Sequence, residues 1–166
     1  MQENKIFWEA DENTRTRQIL DLLSANYFTK DQATYGKSET GKKQGSVDGV
    51  IIDNTKTEHF IEAFNLSSIN KQIIQRHINK VESNYDSKGL TNKFVIVYCN
   101  IQDNKFNNLF TGYLEYVSSE LEYKFKKIEI IEKETKYTNI KVLKSRHLRE
   151  NREVILYHIL IKMPIY

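Results

Sequence analysis

The spacing of apolar residues predicts three helices along the chain. Apolar positions recur at helical intervals over residues 19–27, after a polar stretch at residues 11–14 that can cap the start of a helix. A second series of such positions runs over residues 69–85, and Ser68 directly before it is interpreted as the cap. The third series covers residues 103–117. Each predicted helix therefore has one apolar side that can pack against a sheet.

Strands are predicted where apolar residues alternate with polar ones or form short continuous runs. Residues 93–99 are almost wholly apolar, which is typical of a strand buried on both faces of a sheet. The predicted strands lie near residues 33–35, 46–53, 58–65, 93–99, 127–133, 139–145 and 153–163. The resulting order is α-β-β-β-α-β-α-β with a C-terminal β-hairpin, which predicts an α/β sandwich with a mixed central sheet flanked by helices.

Length and composition limit the class of protein. With 166 residues, of which 39% are hydrophobic and 28% charged, the chain has the size and apolar content of one domain, residues 1–166. No apolar run approaches the roughly 18–20 residues that span a bilayer, and no signal peptide is recognised, which favours a cytoplasmic location without membrane contact. Cys99 is the single cysteine and is predicted to be a buried strand residue. The formal charge of +3 permits a nucleic-acid partner.

The predicted hairpin over residues 46–65 carries one carboxylate on each strand. A turn centred near residues 54–57 sets Asp48 opposite Glu62 or Ala63 if the strands pair antiparallel. Opposed side chains on one face lie roughly 5 Å apart at Cβ. Two carboxylates at that distance repel each other unless a proton or a cation lies between them, and such a pair suits Mg²⁺. The alternative is a pair of surface carboxylates on the solvated face of the hairpin.

The hairpin and the order of elements resemble the core of the PD-(D/E)xK nuclease superfamily, the restriction-endonuclease-like fold. The resemblance implies that Asp48, Glu62 and the carbonyl of Ala63 bind Mg²⁺ or Mn²⁺ and activate a water for phosphodiester hydrolysis. Phe64 stands where the family has its motif lysine, so we expect cleavage to be weak or absent unless another cation serves. Lys71, in the first turn of the predicted second helix, is the nearest candidate in the sequence for that catalytic cation, and Arg76 and Lys80 follow further along the helix. A solvated lysine is the alternative.

Further candidates surround the hairpin in the sequence. The resemblance implies an auxiliary role at the metal site for Glu12 and in positioning substrate for Gln75. The alternative for Glu12 is a first-turn carboxylate that complements the helix dipole. His77 is interpreted as a packed, hydrogen-bonded histidine. The candidate nucleic-acid contacts are the basic residues Lys42, Lys43, Arg76 and Lys80, and a solvated charged surface is their alternative.

The resemblance leaves several functions open. One is a divergent Mg²⁺-dependent nuclease domain, or a degenerate relative that binds nucleic acid without cleaving it. A catalytically inactive module for protein–protein contact is the alternative from another class, and Phe64 favours it because a bulky apolar group would fill the site. An unrelated α/β domain that binds a small ligand is a third. Domains of this family often belong to larger bacterial restriction, repair or phage-defence proteins. The expected partners are therefore nucleic acid and either a second copy of the chain or other domains of a larger protein.

Overall fold

The central feature of the structure is a mixed seven-stranded β-sheet with helices on both faces. A computed structural model describes residues 5–32, 34–35, 45–84, 86 and 89–163. The strands are β1 (Phe28–Asp31), β2 (Thr34–Tyr35), β3 (Gly45–Ser46), β4 (Gly49–Ile52), β5 (Glu58–Leu66), β6 (Asn92–Asn100), β7 (Lys126–Lys133), β8 (Ile140–Arg149) and β9 (Arg152–Met163). The α-helices are α1 (Lys5–Glu9), α2 (Glu12–Leu23), α3 (Lys71–Asn79) and α4 (Phe106–Glu115). Short π-helical segments follow α3 at Lys80–Asn84 and α4 at Tyr116–Glu120, and a 3₁₀ turn at Asp103–Lys105 precedes α4.

The sheet contains an antiparallel part at each side and parallel strands in the middle. Its order is β1-β4-β5-β6-β9-β8-β7. Strands β1, β4 and β5 pair antiparallel, whereas β6 is parallel to both β5 and β9. The connection from β5 to β6 contains α3, and the next connection contains α4. Strands β8 and β9 form the predicted C-terminal hairpin, and β7 extends it. The α/β class, the mixed sheet and its flanking helices are therefore confirmed.

Side chains along β5 alternate between two hydrophobic cores. Phe64 and Leu66 belong to the core under α3 and α4, and Ile61 and Ala63 belong to the core that also contains residues of α1 and α2. This alternation follows the period of two in a strand. Glu62 therefore lies on the α3 side of the sheet, in the middle of an apolar strand.

The start of α3 differs from the prediction. Ser68 is not the cap; the N-cap is Asn70, whose Oδ1 accepts a hydrogen bond of 3.1 Å from the Ile73 N–H. The reason is that β5 continues to Leu66, so Ser68 lies in the bend between strand and helix. Asparagine and serine are both strong N-cap residues, and the end of the strand decides between them.

The first edge of the sheet also differs. The strand predicted near residues 33–35 corresponds to β2, which pairs with β3 outside the main sheet. The edge of the main sheet is β1, whose only apolar residue, Phe28, is exposed, so no apolar alternation marks this strand. Cys99 is buried in β6, as predicted. Among the helices of the described residues, none has the length and apolar character to cross a membrane.

Candidate metal and nucleic-acid site

Asp48 and Glu62 form a pair of carboxyl groups, called the carboxylate pair below, where β4 and β5 meet. The ladder pairs Gly49 with Ile61, so Asp48, one residue before β4, comes opposite Glu62. Its Oδ2 accepts a hydrogen bond of 2.7 Å from the Ala63 N–H. The predicted register, with Asp48 opposite Glu62 or Ala63 on antiparallel strands, is confirmed.

Burial shapes the protonation of this pair. Glu62 is fully buried and Asp48 is half-buried. Burial raises the pKa of Glu62 to about 7. Burial, followed by the negative charge of Glu62, raises the pKa of Asp48 to about 6. Near neutral pH the folded protein therefore favours either a proton on the pair or a cation beside it.

The side chains of His77 and Lys80, on one side of the α3 region, both contact the Glu62 carboxylate. His77 Nδ1 lies 2.7 Å and Lys80 Nζ lies 3.0 Å from the same oxygen, Oε1. The His77 ring stacks on Phe64 with 4.5 Å between ring centroids. Burial, with the nearby charges of Lys80 and Arg76, lowers the pKa of His77 to about 4, so the ring is neutral at pH 7. The prediction of a packed, hydrogen-bonded histidine at position 77 is confirmed.

The helix geometry explains why both groups reach Glu62. His77 and Lys80 are three residues apart, and residues at this spacing share one side of a helix. Ile74 and Ile78 anchor the same side in the core. At Lys80 the α-helix widens into the π-helical segment, and the Lys80 N–H contacts the carbonyls of both Arg76 and His77. Such widened turns are frequent at functional sites.

Glu12 approaches the pair from the other side of β5. Its Oε2 accepts hydrogen bonds of 3.0 Å from both the backbone N–H and the side-chain amide of Asn65. Burial and then the charge of Asp48 raise the pKa of Glu12, so the two carboxyl groups sense each other. Asp11 caps α2 by accepting a hydrogen bond of 2.7 Å from the Thr14 N–H, which fixes Glu12 in the first turn.

A buried arginine that the sequence analysis did not single out holds α2 against the strand ends. The Arg15 guanidinium donates to Asn65 Oδ1 at 2.8 Å, to Asn100 Oδ1 at 3.0 Å and to the Phe7 carbonyl at 3.1 Å. It thereby positions Asn65, whose backbone N–H and side-chain amide donate hydrogen bonds to Glu12. An arginine in the middle of a polar helix gives no sequence signal of burial.

The other predicted residues lie in different surroundings. Lys71 contacts the Glu120 carboxylate and the Tyr116 ring, and it precedes Lys80 by nine residues, roughly 13 Å along a helix.

Gln75 forms hydrogen bonds with Asn79 and with the backbone of Glu122, so it holds the segment after α4 in place. Arg76 is exposed beside a shallow pocket. Lys42 and Lys43 lie outside the described residues. The structure thus brings Lys80, not Lys71, to the carboxylate pair.

The residues at the pair fit a small divalent cation. Glu62 Oε2 is buried, and no hydrogen-bond donor within the described chain reaches it. Asp48 and Glu62 are near enough to share a proton, and a cation can replace that proton. The described ranges contain no cluster of three or more histidine, cysteine, aspartate or glutamate side chains that could hold a metal. Mg²⁺ binds through one or two carboxylates and keeps several waters, so a pair suffices.

A second set of charges, called the closed cluster below, consists of the buried Asp86 and Lys93 and the half-buried Arg149. Lys93 Nζ lies 2.6 Å from Asp86 Oδ2, and both side chains are 0% exposed. Arg149 Nη1 lies 3.2 Å from the same oxygen. Glu82 is buried nearby, its pKa raised to about 7 by burial, and its Oε1 lies 3.6 Å from His147 Nδ1. Because its central pair, Asp86 and Lys93, is fully buried, we interpret the closed cluster as a network that stabilises the fold.

Comparison of the chain with protein-family models, with curated proteins and with solved structures gives no match. The class is therefore defined by fold and geometry: an α/β domain with a buried carboxylate pair at the junction of two antiparallel strands and a lysine bound to it.

Proposed function

We propose that the chain is a Mg²⁺- or Mn²⁺-dependent nuclease domain of the PD-(D/E)xK type, in which Lys80 replaces the missing motif lysine. The observation that carries the proposal is the Lys80 ammonium 3.0 Å from Glu62 Oε1, within the carboxylate pair. The order of elements supports it: an antiparallel β1-β4-β5 unit is followed by a crossover through α3 to the parallel strand β6. The resemblance rests on three strands before α3; in the structure β1 takes the place of the predicted strand at residues 33–35, which lies outside the main sheet as β2.

The chemistry follows from the groups around the pair. Asp48, Glu62 and the Ala63 carbonyl would hold the cation, which when bound would polarise a phosphoryl oxygen and acidify the attacking water. Lys80 would stabilise the negative charge that grows on the phosphate as water adds to phosphorus. The proton that the attacking water loses would pass to solvent, and the ester P–O bond would break as the leaving oxygen takes a proton from solvent, which gives a phosphate monoester and an alcohol. Neutral His77 holds Glu62 in place without adding charge.

Cations on α3 support a nucleic-acid substrate. Arg76 is exposed one helical turn before Lys80, and it is near enough to lower the pKa of Glu62. Both cations would contact phosphate oxygens, which gives sequence-independent affinity that falls as salt rises. We expect Lys42 and Lys43 to add to this affinity, as the sequence analysis predicts.

A second candidate, an inactive module for protein contact, is favoured by an apolar pocket on the opposite face of the sheet. The pocket has a volume of about 650 Å³, and Leu22, Tyr27 and Phe28 are exposed on or just after α2. Exposed apolar patches of this kind mark interaction surfaces. Its apolar lining includes Ile19, Leu23, Ile51, Phe94, Ile159 and Ile161. The stack of Phe64 on His77 also fills the place of the motif lysine.

A cleavage assay separates the two candidates. Single-stranded and duplex DNA and RNA are incubated with Mg²⁺ or Mn²⁺ and with the wild type, Glu62→Gln, Lys80→Gln and Lys71→Gln. We expect Glu62→Gln to abolish cleavage, because it removes a carboxylate that would hold the cation, and Lys80→Gln to slow it by about 10²–10³-fold, because it removes a charge at the reacting phosphate. Lys71→Gln should keep the activity, since Lys71 contacts Glu120 instead. A wild type that cleaves none of the substrates would favour the protein-contact module.

A further inference from the structure

We propose that Lys80 is an internal counter-cation of the carboxylate pair, which a divalent ion must displace, so that Lys80 sets the metal affinity of the site. The inference rests on the proposed function, because it concerns the cation that this function requires. It adds a way in which metal binding is regulated, because the lysine that would assist the reaction also competes with the metal.

One oxygen of the buried Glu62 carboxylate already has two partners. Glu62 is 1% exposed, and its Oε1 already accepts from both His77 and Lys80. The Lys80 side chain is 25% exposed, so its ammonium can leave Glu62 toward solvent. A cation that binds Glu62 must therefore compete with the ammonium that already contacts Oε1.

The positive charge of Lys80 would repel a divalent ion bound at the pair. A divalent ion bound between Asp48 and Glu62 would lie close to the Lys80 ammonium if Lys80 kept its present contact. Unit charges a few ångströms apart at an effective dielectric near 20 repel strongly enough to change a binding constant by about tenfold or more. Metal binding is therefore coupled to withdrawal of Lys80.

The local structure permits that withdrawal. Lys80 stands at the junction of α3 and the π-helical segment, and its ammonium is carried on a flexible four-carbon stem. His77 stays stacked on Phe64 and continues to hold Glu62 Oε1. The carboxylate thus keeps its orientation while the ammonium turns outward, toward the place where a phosphate would lie.

Mn²⁺ affinity of the full chain, measured by calorimetry, tests the inference. The variants are Lys80→Gln, Lys80→Arg and the matched control Lys162→Gln, which removes a lysine of similar exposure that pairs with Asp103 at 3.2 Å. We expect Lys80→Gln to bind Mn²⁺ about tenfold more tightly than the wild type, Lys80→Arg to stay within about threefold, and Lys162→Gln to be unchanged. An unchanged or weaker affinity in Lys80→Gln would overturn the inference.

A second measurement uses only the wild type and does not depend on a variant that folds. The side-chain amine signals of Lys80 and Lys162 are followed by nitrogen NMR as Mg²⁺ is added. Saturating Mg²⁺ should shift the Lys80 signal and leave that of Lys162 in place. A Lys80 signal that does not move at saturation contradicts displacement.

Cleavage rates measured on the same samples separate the two proposals. Tighter Mn²⁺ binding by Lys80→Gln without cleavage in any sample supports the counter-cation and rejects the nuclease. Cleavage by the wild type with unchanged affinity in Lys80→Gln rejects the counter-cation alone. Absence of Mn²⁺ binding in both proteins overturns the inference and the proposed function together.

Discussion

The carboxylate pair and the closed cluster are both buried on the α3 side of the sheet, but their charges are balanced differently. In the closed cluster, one carboxylate, Asp86, is neighboured by the two cations Lys93 and Arg149. In the carboxylate pair, two carboxyl groups share the ammonium of Lys80 among the described residues, since His77 is neutral. A buried network that contains its own counter-ions needs nothing from solvent, whereas a pair with excess negative charge attracts a cation.

The two regions contribute to the stability of the fold in opposite ways. The closed cluster joins the segment before β6 to the end of β8, so its ion pairs hold strands together. The carboxylate pair contributes repulsion instead, which the folded protein tolerates because other contacts stabilise the fold. Substitutions in the two regions should therefore change stability in opposite directions.

The largest effect is expected from Asp86→Asn. It removes the carboxylate that pairs with the buried Lys93 and with Arg149, and breaking a buried ion pair costs about 3–5 kcal/mol. Denaturant unfolding followed by circular dichroism measures the loss. A free energy of unfolding within about 1 kcal/mol of the wild type would remove the structural role given to the closed cluster.

Phe64→Lys should destabilise the fold rather than restore a motif lysine. Phe64 is buried against His77, and an ammonium placed in this core costs about 3 kcal/mol or more. Phe64→Leu, which keeps an apolar side chain, is the control and should lose less stability. A Phe64→Lys protein that is as stable as the wild type and cleaves faster would show that position 64 still belongs to the reacting site.

The pH dependence of stability should change in Glu62→Gln. The folded state raises the pKa of Glu62 from 4.5 to about 7, so its contribution to stability is full below pH 4.5 and is lost as pH rises through 7. Between pH 5 and 8 the wild type should lose roughly 2–3 kcal/mol relative to Glu62→Gln. Glu82→Gln should show a similar change, because the pKa of Glu82 is also raised to about 7. Parallel unfolding curves across this range would contradict the raised pKa.

Asp48→Asn should stabilise the protein slightly in the absence of metal. The change removes one of two facing negative charges, while the amide oxygen still accepts from the Ala63 N–H. We expect a gain of about 1 kcal/mol at pH 8, after allowance for the solvent that reaches Asp48. The same variant should lose Mn²⁺ affinity. A loss of stability similar to that of Asp86→Asn would place the carboxylate pair among the structural networks.

The sequence was sufficient for the parts of this account that depend on local periodicity. Alternation along residues 58–65 predicts β5, and the turn before it sets Asp48 opposite Glu62. The preference for Lys71 over Lys80 was wrong, because the sequence gives the period of α3 but not its position over the sheet. The spacing of three between His77 and Lys80 was the available signal.

The closed cluster could not be predicted from the sequence. Lys93 begins an apolar strand, and Asp86 falls in a predicted turn, so neither shows its burial. Arg149 comes from a hairpin 63 residues beyond Asp86. Contacts over such separations depend on how the strands assemble, which local patterns do not encode.

A crystal structure with Mn²⁺, located by its anomalous scattering, tests whether the carboxylate pair binds a metal and releases Lys80. We predict one peak between the Asp48 and Glu62 carboxylates, with the Lys80 ammonium withdrawn from Glu62 Oε1 and the Asp86–Lys93 pair unchanged. Absence of a peak at the pair, with Lys80 still bound to Glu62 at a saturating Mn²⁺ concentration, would contradict it.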